Sequence, residues 1–136
     1  MSGERIIPEN IKTKGEYYLY LKEVFIYEWA TSAIPGDSTC LDLGCGAGYG
    51  TGLLSFSVKN IIGLDIDKKL IESASGKYGK GNCSFESYDG ARLPFSDASF
   101  DAATAFQVIE HILDDAAFLA DVSRVLKKGA LFILTT

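Results

Sequence analysis

The sequence predicts an open, doubly wound α/β fold built on a parallel sheet, and three observations carry that prediction. Short apolar runs alternate with stretches of helix length. A glycine-rich segment, CLDLGCGAGYGTGLL from Cys40 to Leu54, joins the first such run to the first helical pattern after it. Acidic residues stand where several of the runs end. Strands joined through helices pair in parallel by right-handed crossovers, because the helix must return the chain to the same end of the sheet.

Each element has its own warrant. After a polar leader, GEYYLYLKEVFIYEWATSAI (15–34) fits a helix by length and is ended by Pro35-Gly36. Its aromatics, Tyr17, Tyr18, Tyr20, Phe25, Tyr27 and Trp29, fall on more than one face, and most are expected to pack against the domain. Tyr17, Tyr18 and Tyr20 are alternatively placed to cover a ligand. TCLDL (39–43) reads as the first strand and YGTGLLSFS (49–57) as a helix. NIIGLD (60–65) is the second strand, and Asp67 is a fitting N-cap for KKLIESASGKY (68–78). CSFESY (83–88) is the third strand; in the loop after it, Pro94 turns the chain while Leu93 and Phe95 pack. FDAATAF (100–106) is the fourth strand. DDAAFLADVSRVLKK (114–128) is amphipathic and is expected to stop at Gly129, before ALFILTT (130–136) as the fifth strand. The whole reads as one domain over 1–136, a helical leader or lid over 1–36 on an α/β core over 37–136.

Composition narrows the function. A net charge of −5 and a pI near 4.8 provide no field to gather nucleic acid. Lys127-Lys128 reads as a solvated helix end. Cys40, Cys45 and Cys83, with His111 as the one histidine, form neither a disulfide framework nor a metal site. The start of the sequence has no apolar signal core and no window reaches membrane-spanning length, so a cytoplasmic protein without a membrane is expected.

Ligands of doubly wound sheets bind at the carboxyl ends of the strands. Asp42 to Gly50, Asp65, Asp89 and Phe106 to His111 fall there and are expected to face one crevice. Gly44, Gly46 and Gly48 would let the chain turn sharply and bring a ligand against bare backbone. Asp65, about 20 residues further on, stands where a carboxylate accepts from both hydroxyls of a ribose. The residue six positions into any G-x-G-x-x-G frame is Tyr49, Thr51 or Leu53, which departs from the dinucleotide fingerprint. No Gly-Lys-Ser/Thr follows, which rules out a phosphate loop.

CLDLGCGAGYG, IIGLDID, SYDGARLPFSDASFDAATAF, QVIEHI and RVLKKGALFILTT together resemble the class I S-adenosylmethionine-dependent methyltransferases of the small-molecule type. The resemblance implies a Rossmann-like sheet of order 3-2-1-4-5 and S-adenosylmethionine as cofactor. It matches Gly44, Cys45, Gly46 and Gly48 to the loop around the methionine part, and Asp42 to an acidic position near its amino group. It matches Asp65 to the ribose carboxylate and Ile66 to an adenine contact. Asp89, Gly90 and Ala91 match the group reading the adenine amino edge, and Phe106 and Gln107 the wall beside the methionine. A cofactor bearing a sulfonium and an ammonium needs acceptors rather than a lysine cradle.

His111, with Glu110, is the candidate base for a substrate hydroxyl; the alternative is that it only lines the pocket. The expected reaction is methyl transfer to a small molecule, with oxygen preferred and nitrogen or carbon open. The place after the fourth strand holds FQVIEH and not the Asn/Asp-Pro-Pro-Tyr/Phe motif of base-methylating enzymes. RVLKKGA stands where the family has a proline and two glycines, in a turn remote from the cofactor. The family's further helix and β-hairpin have no counterpart after Thr136, which leaves ALFIL at an edge and predicts association, as in a homodimer. Two other functions stay open: a non-catalytic cofactor-binding module completed by a partner, and a nicotinamide oxidoreductase.

Overall fold

The computed structural model of the chain describes residues 5–136. Strands β1 (Thr39–Leu43), β2 (Asn60–Asp65), β3 (Cys83–Ser87), β4 (Phe100–Phe106) and β5 (Leu126–Thr135) form one sheet in the order β3-β2-β1-β4-β5. Every neighbouring pair is parallel. Helices α1 (Lys14–Ala33), α2 (Tyr49–Ser55), α3 (Lys68–Tyr78) and α4 (Asp115–Val125) supply the crossovers and the cover. The chain steps from β1 to β2 on one side and later returns to β4 on the other. That reversal opens a crevice at the carboxyl tips of the central strands.

Strand alternation sorts the core into two layers. In β1, Cys40 belongs to the layer under α1, α2 and α3, with Tyr27, Ala30, Leu54, Ile71 and Phe85. Leu41 and Leu43 point to the opposite layer, with Leu93, Phe100, Val122 and Val125. A central strand buried on both faces explains why TCLDL carries no alternating polar side, with Asp42 the exception.

Local signals behave as the chemistry predicts in several places. The Asp67 carboxylate caps α3, accepting from the Lys69 and Leu70 N–H groups at 3.1 Å each. Leu93 is buried, and Phe95 meets Phe100 edge to face at 5.0 Å. Arg124 of α4 pins this loop by donating to the Leu93 and Phe95 carbonyls at 2.9 and 2.7 Å.

Three expectations are corrected. Helix α4 ends at Val125, and Leu126 is already extended, so Lys127 and Lys128 open β5 and do not close a helix. Gly129, at φ +81°, serves a register shift between the Phe100 and Ala102 pairings of β4 with β5. Lys127 reaches Asp101 of β4 at 3.1 Å, an ion pair that favours the strand. The helix at 49–57 is shorter, closing at Ser55, with Phe56 exposed. Of the α1 aromatics only Tyr27 is buried; Tyr17, Tyr18, Phe25 and Trp29 are all exposed. Only one stripe of a helix lying on a sheet can be covered, and in α1 that stripe runs through Tyr27 and Ala30.

Candidate functional site

A cleft of about 350 Å³ opens at the carboxyl tips of β1, β2 and β4, under α1. Its floor is the glycine loop. The Gly44 and Cys45 N–H groups both donate to the Leu64 carbonyl, at 2.8 and 3.1 Å, which folds the loop over the end of β2. Gly48, at φ +88°, turns the chain into α2, and a Cβ there would collide with Ala74 and Phe85 at 2.6 and 2.9 Å. Gly46 differs: a Cβ would meet nothing nearer than the Arg5 guanidinium at 3.7 Å, so its bare face looks into the cleft. The glycines therefore do different work, some packing secondary structure and one leaving room for a ligand.

The aspartates also divide. Asp65 lines the cleft. Its Oδ2 accepts from the Gly46 N–H at 2.8 Å, its Oδ1 accepts from the Asp67 N–H at 3.0 Å, and Arg5 of the leader pairs with Oδ2. Asp42 does not reach the cleft, which corrects the expectation that it faces a ligand's amino group. It shares the face of Cys40 on β1, so its side chain enters the core beneath α1. There it accepts from Thr51 and Thr104 at 2.7 Å each and from Tyr27 at 3.0 and 3.3 Å. Burial pushes its carboxyl up to about 6, against those hydrogen bonds, with Asp65 adding repulsion. Asp89, Gly90 and Ala91 also stand outside the wall. Asp89 is exposed and accepts from the Ala91 N–H at 2.9 Å, while its neighbour Tyr88 reaches the cleft. A side chain at Gly90 would touch Ile66 at 3.4 Å, so this turn borders the cleft at Ile66.

At the β4 tip, Phe106 and Gln107 line the cleft. Gln107 takes a left-handed φ of +58°, a strained setting for a non-glycine residue, and its amide donates to Thr135 Oγ1 at 3.2 Å. Glu110 and His111 also line the cleft, with His111 Nε2 3.9 Å from Glu110 Oε1, beyond hydrogen-bond range.

Sequence reasoning expected a lid over 1–36 but missed the residues of α1 that face the cleft. Leu19, Lys22, Glu23, Ile26 and Tyr27 of α1 line the cleft, a face spaced three and four residues apart. That periodicity was the available signal, obscured by the aromatics on the outer face. Tyr27 is the keystone: its ring stacks edge-on against Phe106 at 4.8 Å and lies so close to Gly50 that a Cβ there would sit 2.1 Å from it. Burial raises its phenol well above the ordinary range, with the charge of Asp42 adding to it. Tyr20 packs against Tyr49 at 5.1 Å, and none of Tyr17, Tyr18 and Tyr20 lines the cleft. In the leader, Glu4 lies outside the described residues, while Arg5 and Ile6 close one wall.

A family described as "Methyltransferase domain" matches residues 41–134, the segment that holds every strand tip of this cleft. The chain belongs to the class I S-adenosylmethionine-dependent methyltransferases. It is 33% identical over 136 residues to a protein of Mycolicibacterium smegmatis named "probable S-adenosylmethionine-dependent methyltransferase", covering all of this chain and 51% of that protein. It is 36% identical over 99 residues to the O-methyltransferase cnsE of Penicillium expansum, covering 69% of this chain and 36% of that one. The crystal structure of the Bacillus subtilis YcgJ protein superimposes with a TM-score of 0.72 at 30% identity, covering 85% of this chain and 50% of that chain. The methyltransferase chain thus spans about half the length of the M. smegmatis relative and of YcgJ.

Proposed function

We propose that the protein transfers a methyl group from S-adenosylmethionine to a small-molecule acceptor, with oxygen the favoured target. The observation that carries this reading is the donor set of the cleft: a buried carboxylate, Asp65, fixed by the bare Gly46 N–H at the bend of a glycine loop. The residues present fit the cofactor. Asp65 provides acceptors for ribose hydroxyls, Ile66 an apolar face for adenine, and the Gly46 side of the loop the open space beside them. The turn at Asp89–Ala91, bordering Ile66, would close the adenine edge. Phe106, Gln107 and the loop residues Gly44 and Cys45 would wall the methionine end.

When bound, S-adenosylmethionine supplies a methyl group already activated on a sulfonium. The chain's part is alignment, which is worth up to about 7 to 11 kcal/mol where two reactants are held in line. An apolar lining from α1 and the β4 exit, including Ile26, Val108, Ile112 and Phe118, excludes water from an acceptor held there. His111, at the same exit, is the group that would take a hydroxyl proton, beside Glu110. The leader and α1 would act as the lid of a core over 37–136. The preference for oxygen is supported by His111 and by relatives named as O-methyltransferases. A small acceptor, not nucleic acid, follows from the net charge of −5.

No helix among the described residues is long and apolar enough to cross a membrane, and a cytoplasmic setting is part of this reading. So is pairing of two copies along β5, where Leu131 and Leu134 remain more than a third exposed; sedimentation equilibrium tests it.

Calorimetric titration with S-adenosylhomocysteine and NAD, then incubation with methyl-labelled cofactor and a panel of phenols, amines and carbon acids, tests the function. Saturable binding of the homocysteine nucleoside with label transferred to a phenol is the expected result. NAD binding in preference to it would overturn the reading.

A further inference from the structure

We infer that Glu23 of α1, and not the aspartate of the strand before the glycine loop, is the carboxylate that receives the ammonium of the cofactor's methionine end. The inference rests on the proposed function, since it assigns a residue to the cofactor of that site. The cation needs acceptors in the cleft, because an ammonium held away from water without them is costly, and a carboxylate is the strongest of them. Asp42 is unable to serve. Its side chain is fully buried, and each oxygen accepts from Tyr27 and from one threonine, which leaves no path to the cleft.

Glu23 has the opposite situation. It is half-buried and lines the cleft, and among the described residues it makes no hydrogen bond or ion pair. It precedes Tyr27 by four residues, so the two lie on one face of α1, one turn apart. Tyr27 in turn packs on Phe106, at the β4 side of the cleft, away from Asp65 at the β2 tip. Glu23 therefore lines the cleft one helical turn from the residue that packs on its β4 wall. A carboxylate left without a partner in an apolar wall is held at a cost, and burial raises Glu23 above the ordinary carboxylate range. A cation arriving there offsets that cost through a charge-assisted hydrogen bond. Other charged or titratable groups lining the cleft are Lys22 on the same helix, Tyr27 below, Cys45 of the loop, Tyr49, Tyr88, the Arg5–Asp65 pair across the loop, and Glu110 with His111 at the β4 exit. Glu110 is the nearest competitor for the role, and it sits beside His111.

The test uses two nucleosides that differ in the amino-acid group, which carries the ammonium Glu23 is assigned to. S-adenosylhomocysteine carries the amino-acid group; 5′-methylthioadenosine lacks it. In the whole protein, Glu23→Gln is expected to weaken S-adenosylhomocysteine about tenfold and to leave methylthioadenosine within about twofold by calorimetry. Retained methylthioadenosine binding also shows that the variant is folded. Glu110→Gln, run alongside, is expected to leave both affinities in place. The assignment is overturned if Glu23→Gln leaves both affinities unchanged, if it lowers the two together, or if Glu110→Gln produces the selective loss instead. Failure of the wild-type protein to bind either nucleoside would overturn the cofactor reading of the cleft and this assignment with it.

Discussion

The tips of β1 and β2 each carry a buried aspartate, and the two are used in opposite ways. Asp42 is sealed under α1 and satisfied by three hydroxyls, so it ties helix to sheet. Asp65 is equally shielded from water, yet its partners are two main-chain N–H groups and one arginine of the leader. The first is held by side chains of the core; the second is held by loop main chain and by the leader, at the wall of the cleft. Depth of burial thus does not distinguish the two carboxylates, whereas the origin of their partners does.

Replacing each aspartate should separate stability from binding. Asp42→Ala is expected to cost about 3 kcal/mol, since three buried hydroxyls lose their acceptor at about 1 kcal/mol each. Urea unfolding measures it, and the affinity of the folded protein for S-adenosylhomocysteine should stay within about twofold. A collapse of binding with stability intact would reverse the roles given to the two tips.

The pH dependence sharpens the same contrast. The Asp42 carboxyl is held at about 6, above its ordinary 3.8, so the folded state keeps that proton more firmly than the unfolded chain does. Its contribution to stability is therefore full below pH about 4 and is lost as pH rises through about 6, a change of about 3 kcal/mol. Asp42→Asn removes that titration. The stability difference between wild type and this variant should shift in favour of wild type by about that amount on going from pH 7 to pH 4. A flat difference would mean that Asp42 titrates normally.

At the other tip the effect moves to the ligand. Asp65→Ala is expected to weaken S-adenosylhomocysteine by about 30-fold, or about 2 kcal/mol, for loss of hydrogen bonds to a charged acceptor. Unfolding should change by about 2 kcal/mol, less than for Asp42→Ala, because the Gly46 and Asp67 N–H groups each lose an acceptor. Unchanged affinity would take Asp65 out of the site.

The two tips also show what a sequence can and cannot reveal. Four of the five strands to within a residue and the cap at Asp67 follow from patterns that act locally, namely apolar runs, turn residues and a carboxylate before a helix, whereas the strand order came only with the family resemblance. Asp65 was legible because the end of a strand is a place, and a side chain there faces the crevice. Asp42 was misread because its direction depends on strand parity, which puts it with Cys40 beneath α1. The start of β5 was misread for a related reason. Lys127 and Lys128 suit a helix end, and only their pairing across to β4 makes them strand. The roof was hidden by Tyr17, Tyr18, Phe25 and Trp29, whose exposed rings blur the periodicity of the face that matters. Contacts such as Arg5 with Asp65 join parts of the chain far apart in sequence, and no local pattern reports them.

That last contact yields the smallest predicted effect and the most direct test of partner exchange. Asp65 Oδ2 already accepts from the Gly46 N–H, so Arg5 fills the remaining capacity of that oxygen. Ribose hydroxyls then bind Asp65 fully only after Arg5 withdraws. Arg5 is 22% exposed and Asp65 1%, so the pair is part-buried, and the desolvation of the arginine offsets most of its attraction, leaving about 1 kcal/mol net. Arg5→Ala should accordingly tighten S-adenosylhomocysteine about fivefold. Weaker binding by Arg5→Ala would mean that the arginine passes from Asp65 to the ligand's own carboxylate on closure, and that both partners of the pair, not Asp65 alone, serve the bound state.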